Sequence, residues 1–104
     1  MSYVVVIRVQ LEGVSEKFQE VIVQYRSECL RNEPGMEHFL VCRIPDDEQG
    51  FLLVEVFTDE EAHRKHAQGK ELEDLLKTME ERELKMAAMI MAGEEMSSAS
   101  PLLN

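Results

Sequence analysis

The spacing of hydrophobic positions changes several times along the chain, and each change marks an element. Tyr3 to Leu11 is rich in valine and isoleucine. Tyr3, Val5, Ile7, Val9 and Leu11 share one face of a strand, and Val4, Val6, Arg8 and Gln10 the other. Both faces begin apolar, as in a strand covered on both sides. After Glu12-Gly13 the spacing becomes three and four. Phe18, Val21, Ile22, Tyr25 and Cys29 then form one stripe of a helix from Glu16 to about Arg31, with Ser15 the expected N-cap. Asn32-Glu33-Pro34-Gly35 ends it, since proline cannot continue a helix and glycine suits a turn. Alternation returns from Met36 to Ile44, placing Met36, His38, Leu40, Cys42 and Ile44 on one face and Glu37, Phe39, Val41 and Arg43 on the other. A polar loop from Pro45 to Gly50 is short enough for a hairpin to the strand Phe51 to Thr58.

Thr58 or Asp59 caps the next helix, whose first turn holds Glu60 and Glu61, where the backbone dipole favours acids. Gly69 interrupts it, and a second helix continues from about Lys70 through Leu72, Leu75, Leu76 and Met79. Leu84 to Ala92 is ambiguous in isolation. Its methionines and alanines favour helix, yet Leu84, Met86, Ala88 and Ile90 fit one strand face. Topology decides for the strand, because two helices lying on a sheet want a fourth one. The resulting order is α+β, a ferredoxin-like split βαβ plan: a four-stranded antiparallel sheet with helices on one face. The other apolar face would stay open in a single chain, so burial points to a homodimer through the sheet face. Residues 1–95 are expected to form one domain, and the small, polar residues 96–104 a flexible C-terminal tail.

Composition narrows the partners. The 104 residues suffice for one core, and a hydrophobic share of 44% excludes global disorder. With 21 acidic against 11 basic residues the formal net charge is −10, which repels phosphate backbones and anionic lipid. Neither nucleic acid nor a membrane is an expected partner. The acidic clusters, such as Asp46-Asp47-Glu48 and Asp59-Glu60-Glu61, read as solvated surface. No run approaches the ~20 apolar residues of a bilayer span, and the first residues lack a signal-peptide pattern, so the cytoplasm is the expected location. Cys29 and Cys42 form no CxxC pair and read as reduced, small core hydrophobes.

Chemistry is concentrated between Phe51 and Leu72. Glu55 alternates with Phe51, Leu53 and Phe57, which buries a carboxylate on an apolar face, where desolvation raises its pKa. It serves either as a structural hydrogen-bond acceptor or as a functional acid. His66 lies four residues after Ala62, hence on the same helix face, and can act as a base near neutral pH. His63 and His66 are three apart, as in a metal clasp, but nothing nearby supplies a third ligand in a known pattern, and no metal is expected. Tyr25 is a core phenol or a substrate-facing one. His38 reads as a hydrogen-bonded structural histidine, and Arg8 lines a pocket or reaches solvent at a strand end.

Glu33-Pro34-Gly35-Met36 before a strand, followed by Phe51-Leu52-Leu53-Val54-Glu55-Val56-Phe57-Thr58-Asp59-Glu60-Glu61-Ala62-His63-Arg64-Lys65-His66, resembles the antibiotic biosynthesis monooxygenase family. The family's pattern is an E-P-G turn, a strand ending E-x-aromatic-x-(Asp or Asn), then A-x-x-x-H; it falls on Glu55, Phe57, Asp59, Ala62 and His66. The resemblance implies a dimeric α/β barrel with a cavity between each sheet and its helices. It also implies a range of activities: cofactor-free oxygenation of phenolic or quinol-like rings, isomerisation of small phosphorylated sugars, and haem breakdown. The chain has no tryptophan, which disfavours the haem-degrading branch. Its first strand lacks the asparagine of several oxygenases, for which Arg8 or Gln10 would stand in. The expected catalytic residues are His66 and Glu55, and the expected substrate contacts are Arg8, Tyr25, Phe51 and Phe57, with no cofactor. The leading expectation is a monooxygenase of a small quinol or phenolic compound. The alternatives are an isomerase or lyase of a carbonyl compound and a non-catalytic small-ligand-binding dimer.

Overall fold

The computed structural model describes residues 1–97. The chain runs β1 (Tyr3–Glu12), α1 (Ser15–Asn32), β2 (Met36–Arg43), β3 (Gly50–Phe57), α2 (Glu60–Ala67), α3 (Lys70–Glu81) and β4 (Lys85–Glu94). The strands form one antiparallel sheet in the order β2-β3-β1-β4, with the helices over one face. This is the expected ferredoxin-like arrangement, including the fourth strand. Of the expected 96–104 tail, residues 98–104 lie outside the described residues.

The stripe of α1 buries as its spacing requires: Phe18, Val21, Ile22, Tyr25 and Cys29 are all in the core. Phe18 packs at a tilt against Phe51 of β3, with ring centroids 4.7 Å apart, and Val5, Val9, Leu11, Leu53 and Phe57 complete the inner sheet face. The start of α1 differs from expectation. Ser15 is its first helical residue, and Val14 precedes it without a side-chain cap. In β2, an irregularity in the pairing between Met36 and His38 puts Met36 and Phe39 inward and leaves His38 and Leu40 exposed. A bulge of this kind resets which residues face inward, so His38 is a surface residue rather than an interior one. Leu76 is likewise exposed, and α3 docks through Leu75 and Met79.

One close approach links the fold to the site. The Glu33 N–H donates to the Cys29 carbonyl at 2.9 Å, and the Thr58 N–H donates to the Gly35 carbonyl at 2.8 Å. The E-P-G turn is thereby pinned between the end of α1 and the start of α2. A Cβ on Gly35 would lie 2.6 Å from the Cβ of Ala62. Gly35→Ala must therefore push α2 outward, and it is expected to cost roughly 1–3 kcal/mol in chemical denaturation. A neutral result would mean that α2 is not seated against this turn.

Candidate active site

Tyr25 and Cys29, four residues apart, share one face of α1, and Glu33 caps the helix four residues after Cys29 with extended backbone. Across from them is His66, in the last turn of α2, a helix opened by Asp59, whose Oδ1 accepts from the Ala62 N–H at 2.8 Å. Glu55 rises from the inner face of β3, and the Phe57 ring lies 5.3 Å from the His66 ring. Five polar side chains thus meet, four of them buried and Glu33 at the edge of a cleft.

The geometry gives the two imidazole nitrogens different roles. Nδ1 lies 2.8 and 3.0 Å from the two carboxylate oxygens of Glu33. An ionised carboxylate only accepts, so Nδ1 carries the proton and donates it. In the neutral ring Nε2 is then the acceptor, and it takes the Tyr25 O–H at 2.9 Å. Glu55 is 3.7 Å from Nε2, beyond direct hydrogen bonding but within strong electrostatic reach. The imidazole therefore lies between two carboxylates, and its proton-accepting nitrogen faces a phenol.

Burial governs the remaining protonation states. It raises the Tyr25 hydroxyl well above the ordinary phenol, with Cys29 and the two glutamates acting in the same direction. The Cys29 thiol is raised by burial and by Glu33, which keeps it protonated near neutral pH. Glu55 is raised by burial and further by Glu33, while His66 pulls it back down. His63 is lowered by burial and by His66, against a smaller opposing effect of Glu60. His63 packs between Tyr3 and Phe57, with centroids at 5.4 and 5.2 Å, and takes no place in the cluster.

The Glu55 shift has a definite stability consequence. A carboxyl whose folded pKa lies above its unfolded one binds its proton more tightly in the native state. That stability is present below pH 4.5 and is lost as pH rises through the folded pKa. Glu55→Gln removes the dependence. Its melting temperature relative to the parent chain is expected to improve between pH 4.5 and neutrality and to show no gain at lower pH. A relative loss over the same interval would show that His66 stabilises the charged carboxylate by more than burial costs it.

The structure gathers His66, Glu55, Tyr25 and Phe57 at one place, but separates two other expected contacts from them. Arg8 is exposed on the outer face of β1, the opposite side of the sheet from His66. It does not share the cluster. Phe51 is buried against Phe18, four residues along β3 from Glu55, or roughly 13 Å at strand spacing. The cavity expected to be shared by Glu55 and His66 is instead a packed interior, with exposures of 2% and 5%. Clefts reach it from two sides. One of about 360 Å³ is lined by Glu33, Gly35, Thr58, Ala62, Lys65 and Glu71 among others. Another, of about 490 Å³ between α1 and α3, includes Tyr25, Glu28 and Leu75 in its wall. Glu33, which the sequence presents only as part of a turn, is a member of the cluster that sequence reasoning does not reach.

The model of the family described as antibiotic biosynthesis monooxygenase matches residues 2–81. No curated protein sequence matches the chain. Several solved structures share its fold. SnoaB, a cofactor-independent oxygenase from Streptomyces nogalater, is 14% identical with a TM-score of 0.77, covering 96% of this chain and 98% of its own. A Caulobacter crescentus CB15 protein carrying the same family's name is 16% identical with a TM-score of 0.82, covering 92% and 91%. PA3566 from Pseudomonas aeruginosa is 14% identical with a TM-score of 0.77, covering 92% and 95%.

Proposed function

The chain belongs to the antibiotic biosynthesis monooxygenase family, and from that membership we propose that it is a cofactor-independent monooxygenase of a small quinol or phenolic compound, with His66 as the proton-abstracting base. The observation that carries this is the Glu33–His66–Tyr25 chain of hydrogen bonds. A base must be held in one tautomer, with its free nitrogen aimed at an acidic proton. Glu33 does the holding. The phenol that Nε2 meets in the free protein is the protein's own, and it marks the class of hydroxyl this nitrogen accepts. A phenolic substrate takes that place once α1 and α3 part along the cleft that Tyr25 lines.

The chemistry then needs no electron carrier. His66 takes a proton from the substrate, and the resulting electron-rich anion passes one electron to dioxygen. Substrate radical and superoxide combine at carbon, and the peroxide formed takes up a proton. Loss of water leaves one oxygen atom in the product as a carbonyl. For a ring methylene, one dioxygen is consumed, one C=O is formed and one water is released. The experiment is oxygen uptake by the purified, flavin-free and metal-stripped chain across a panel of quinols and anthrone-like compounds, with oxygen and product measured together. Uptake matched by product supports the assignment. Deuterium wash-in from solvent without oxygen use would make the chain a carbonyl isomerase or lyase instead.

A second reading has its own observation behind it: the cluster is closed, with Tyr25 at 4% and Glu55 at 2% exposure. A buried hydrogen-bonded network also rigidifies a core, and such a chain would be a small-ligand-binding dimer without chemistry. Ligand retention that is indifferent to His66 replacement is its signature.

The homodimer belongs to the same proposal and is supported by the outer sheet face. Leu40, Met89 and Met91 lie there at 55%, 68% and 66% exposure, beside Val4, Val6, Val54 and Val56. Nine of the ten residues of β4 are exposed, so this edge strand has an uncovered apolar surface. Pairing two such faces is expected to give a dimer by sedimentation, which Met89→Lys with Met91→Lys converts to a folded monomer. A parent chain that sediments as a monomer at high micromolar concentration overturns the assembly.

A further inference from the structure

We propose that Cys29, Glu33 and His66 form a binding site for a transition-metal dication of the zinc or cobalt class, entered from the cleft beside Glu33. A sulfur, a carboxylate oxygen and an imidazole nitrogen all lie within 4.8 Å of one another, and Nδ1 is the nitrogen that faces Glu33. In a tetrahedral zinc site, with sulfur at about 2.3 Å and nitrogen or oxygen at about 2.0–2.1 Å, neighbouring ligand atoms stand roughly 3.5 Å apart. Closing the present spacing takes about 1 Å of side-chain rotation. Two of the three residues are fixed one helical turn apart at the end of α1, and the third is already bonded to one of them, so little chain has to be ordered.

The donor set selects the ion. One thiolate, one carboxylate and one neutral imidazole suit zinc, cobalt or nickel, whereas magnesium and calcium require oxygen ligands. The thiolate and the carboxylate together cancel a double positive charge, so the loaded site is formally neutral, as a buried site should be. A supporting shell is also present. With the metal on Nδ1, the ring proton resides on Nε2 and is donated to the Tyr25 oxygen now 2.9 Å away, which fixes the ring plane. The proton balance is simple: the Cys29 thiol proton leaves to solvent, and the Nδ1 proton is replaced by one on Nε2. Glu33 also lines a cleft, from which water would complete the fourth coordination position. The His63–His66 spacing lacks a third ligand in the sequence, and the fold turns His63 towards Tyr3 and Phe57 and brings Cys29 and Glu33 to His66 instead.

One consequence rests on the oxygenase reading: a metal on Nδ1 protonates Nε2 and so switches off the base. The site itself is tested without substrate, so its failure and the failure of that reading are separate results. The full-length chain, stripped with a chelator under reducing conditions, is titrated with cobalt(II). The expected result is a near-ultraviolet thiolate-to-cobalt band that saturates at one cobalt per chain, bleaches with zinc, and is unaffected by Cys42→Ser. Cys29→Ser abolishes the band, and Glu33→Gln weakens cobalt binding by at least about tenfold while circular dichroism is unchanged. The glutamine variant keeps the test valid should the buried serine variant not fold. No band in the parent chain, or one lost with Cys42 and retained with Cys29, overturns the proposal.

Discussion

His66→Ala is expected to lower the turnover number for oxygen uptake by roughly 10²–10⁴-fold, the usual contribution of a positioned general base. Removing the ring also leaves two buried or half-buried carboxylates, Glu33 and Glu55, facing an empty space. Destabilisation alone could therefore mimic a catalytic loss. Two controls separate them: the melting temperature of the variant, and rescue by added imidazole, which can occupy the vacated volume and restore a base. Partial rescue in a folded variant identifies a catalytic ring. Full activity in the alanine variant would remove His66 from the chemistry altogether and favour the closed network as a purely structural one.

The second large effect belongs to Glu33. Glu33→Gln is expected to reduce turnover by about 10³-fold with little change in substrate affinity. Glutamine can donate to Nδ1 through its amide, which moves the ring proton to Nε2 and leaves the substrate-facing nitrogen without a lone pair. Shape and packing are nearly conserved, so stability should change by no more than roughly 1 kcal/mol. Glu33→Asp keeps the charge but shortens the reach, and an intermediate rate is expected. If glutamine and aspartate behaved alike, Glu33 would act through bulk or charge rather than by fixing the tautomer.

The sheet and its fourth strand were legible because alternation and the split βαβ plan reinforce one another. Glu55 and His66 were legible for a similar reason. A charge on an apolar strand face and a histidine one turn after a sheet-facing alanine each violate their local pattern. Glu33 was not legible, although its signal was present: it extends the Tyr25–Cys29 spacing by one more interval of four. Its neighbours Pro34 and Gly35 hid it as a turn residue, and only the pinning of that turn on α2 directs its carboxylate at His66. Arg8 failed as a site residue because strand parity assigns a side chain to a face, not to a pocket, and the apolar start of that face concealed that it was the outer one. His38 failed because one pairing irregularity in β2 reverses every later parity, and no residue type announces it. The closed state of the cluster could not be read at all, since it depends on how α1 and α3 pack.

The tautomer of His66 tests the central claim most directly, because it requires no substrate. Nitrogen-15 NMR of the labelled imidazole, correlated to the ring protons near neutral pH, distinguishes a protonated Nδ1 from a protonated Nε2. In the uncharged form of the ring the expected proton is on Nδ1, held by Glu33, with an acceptor nitrogen at Nε2, and the pattern is reversed in Glu33→Gln. A ring protonated on Nε2 in the parent chain would place no base where the substrate must react, and would contradict the assignment.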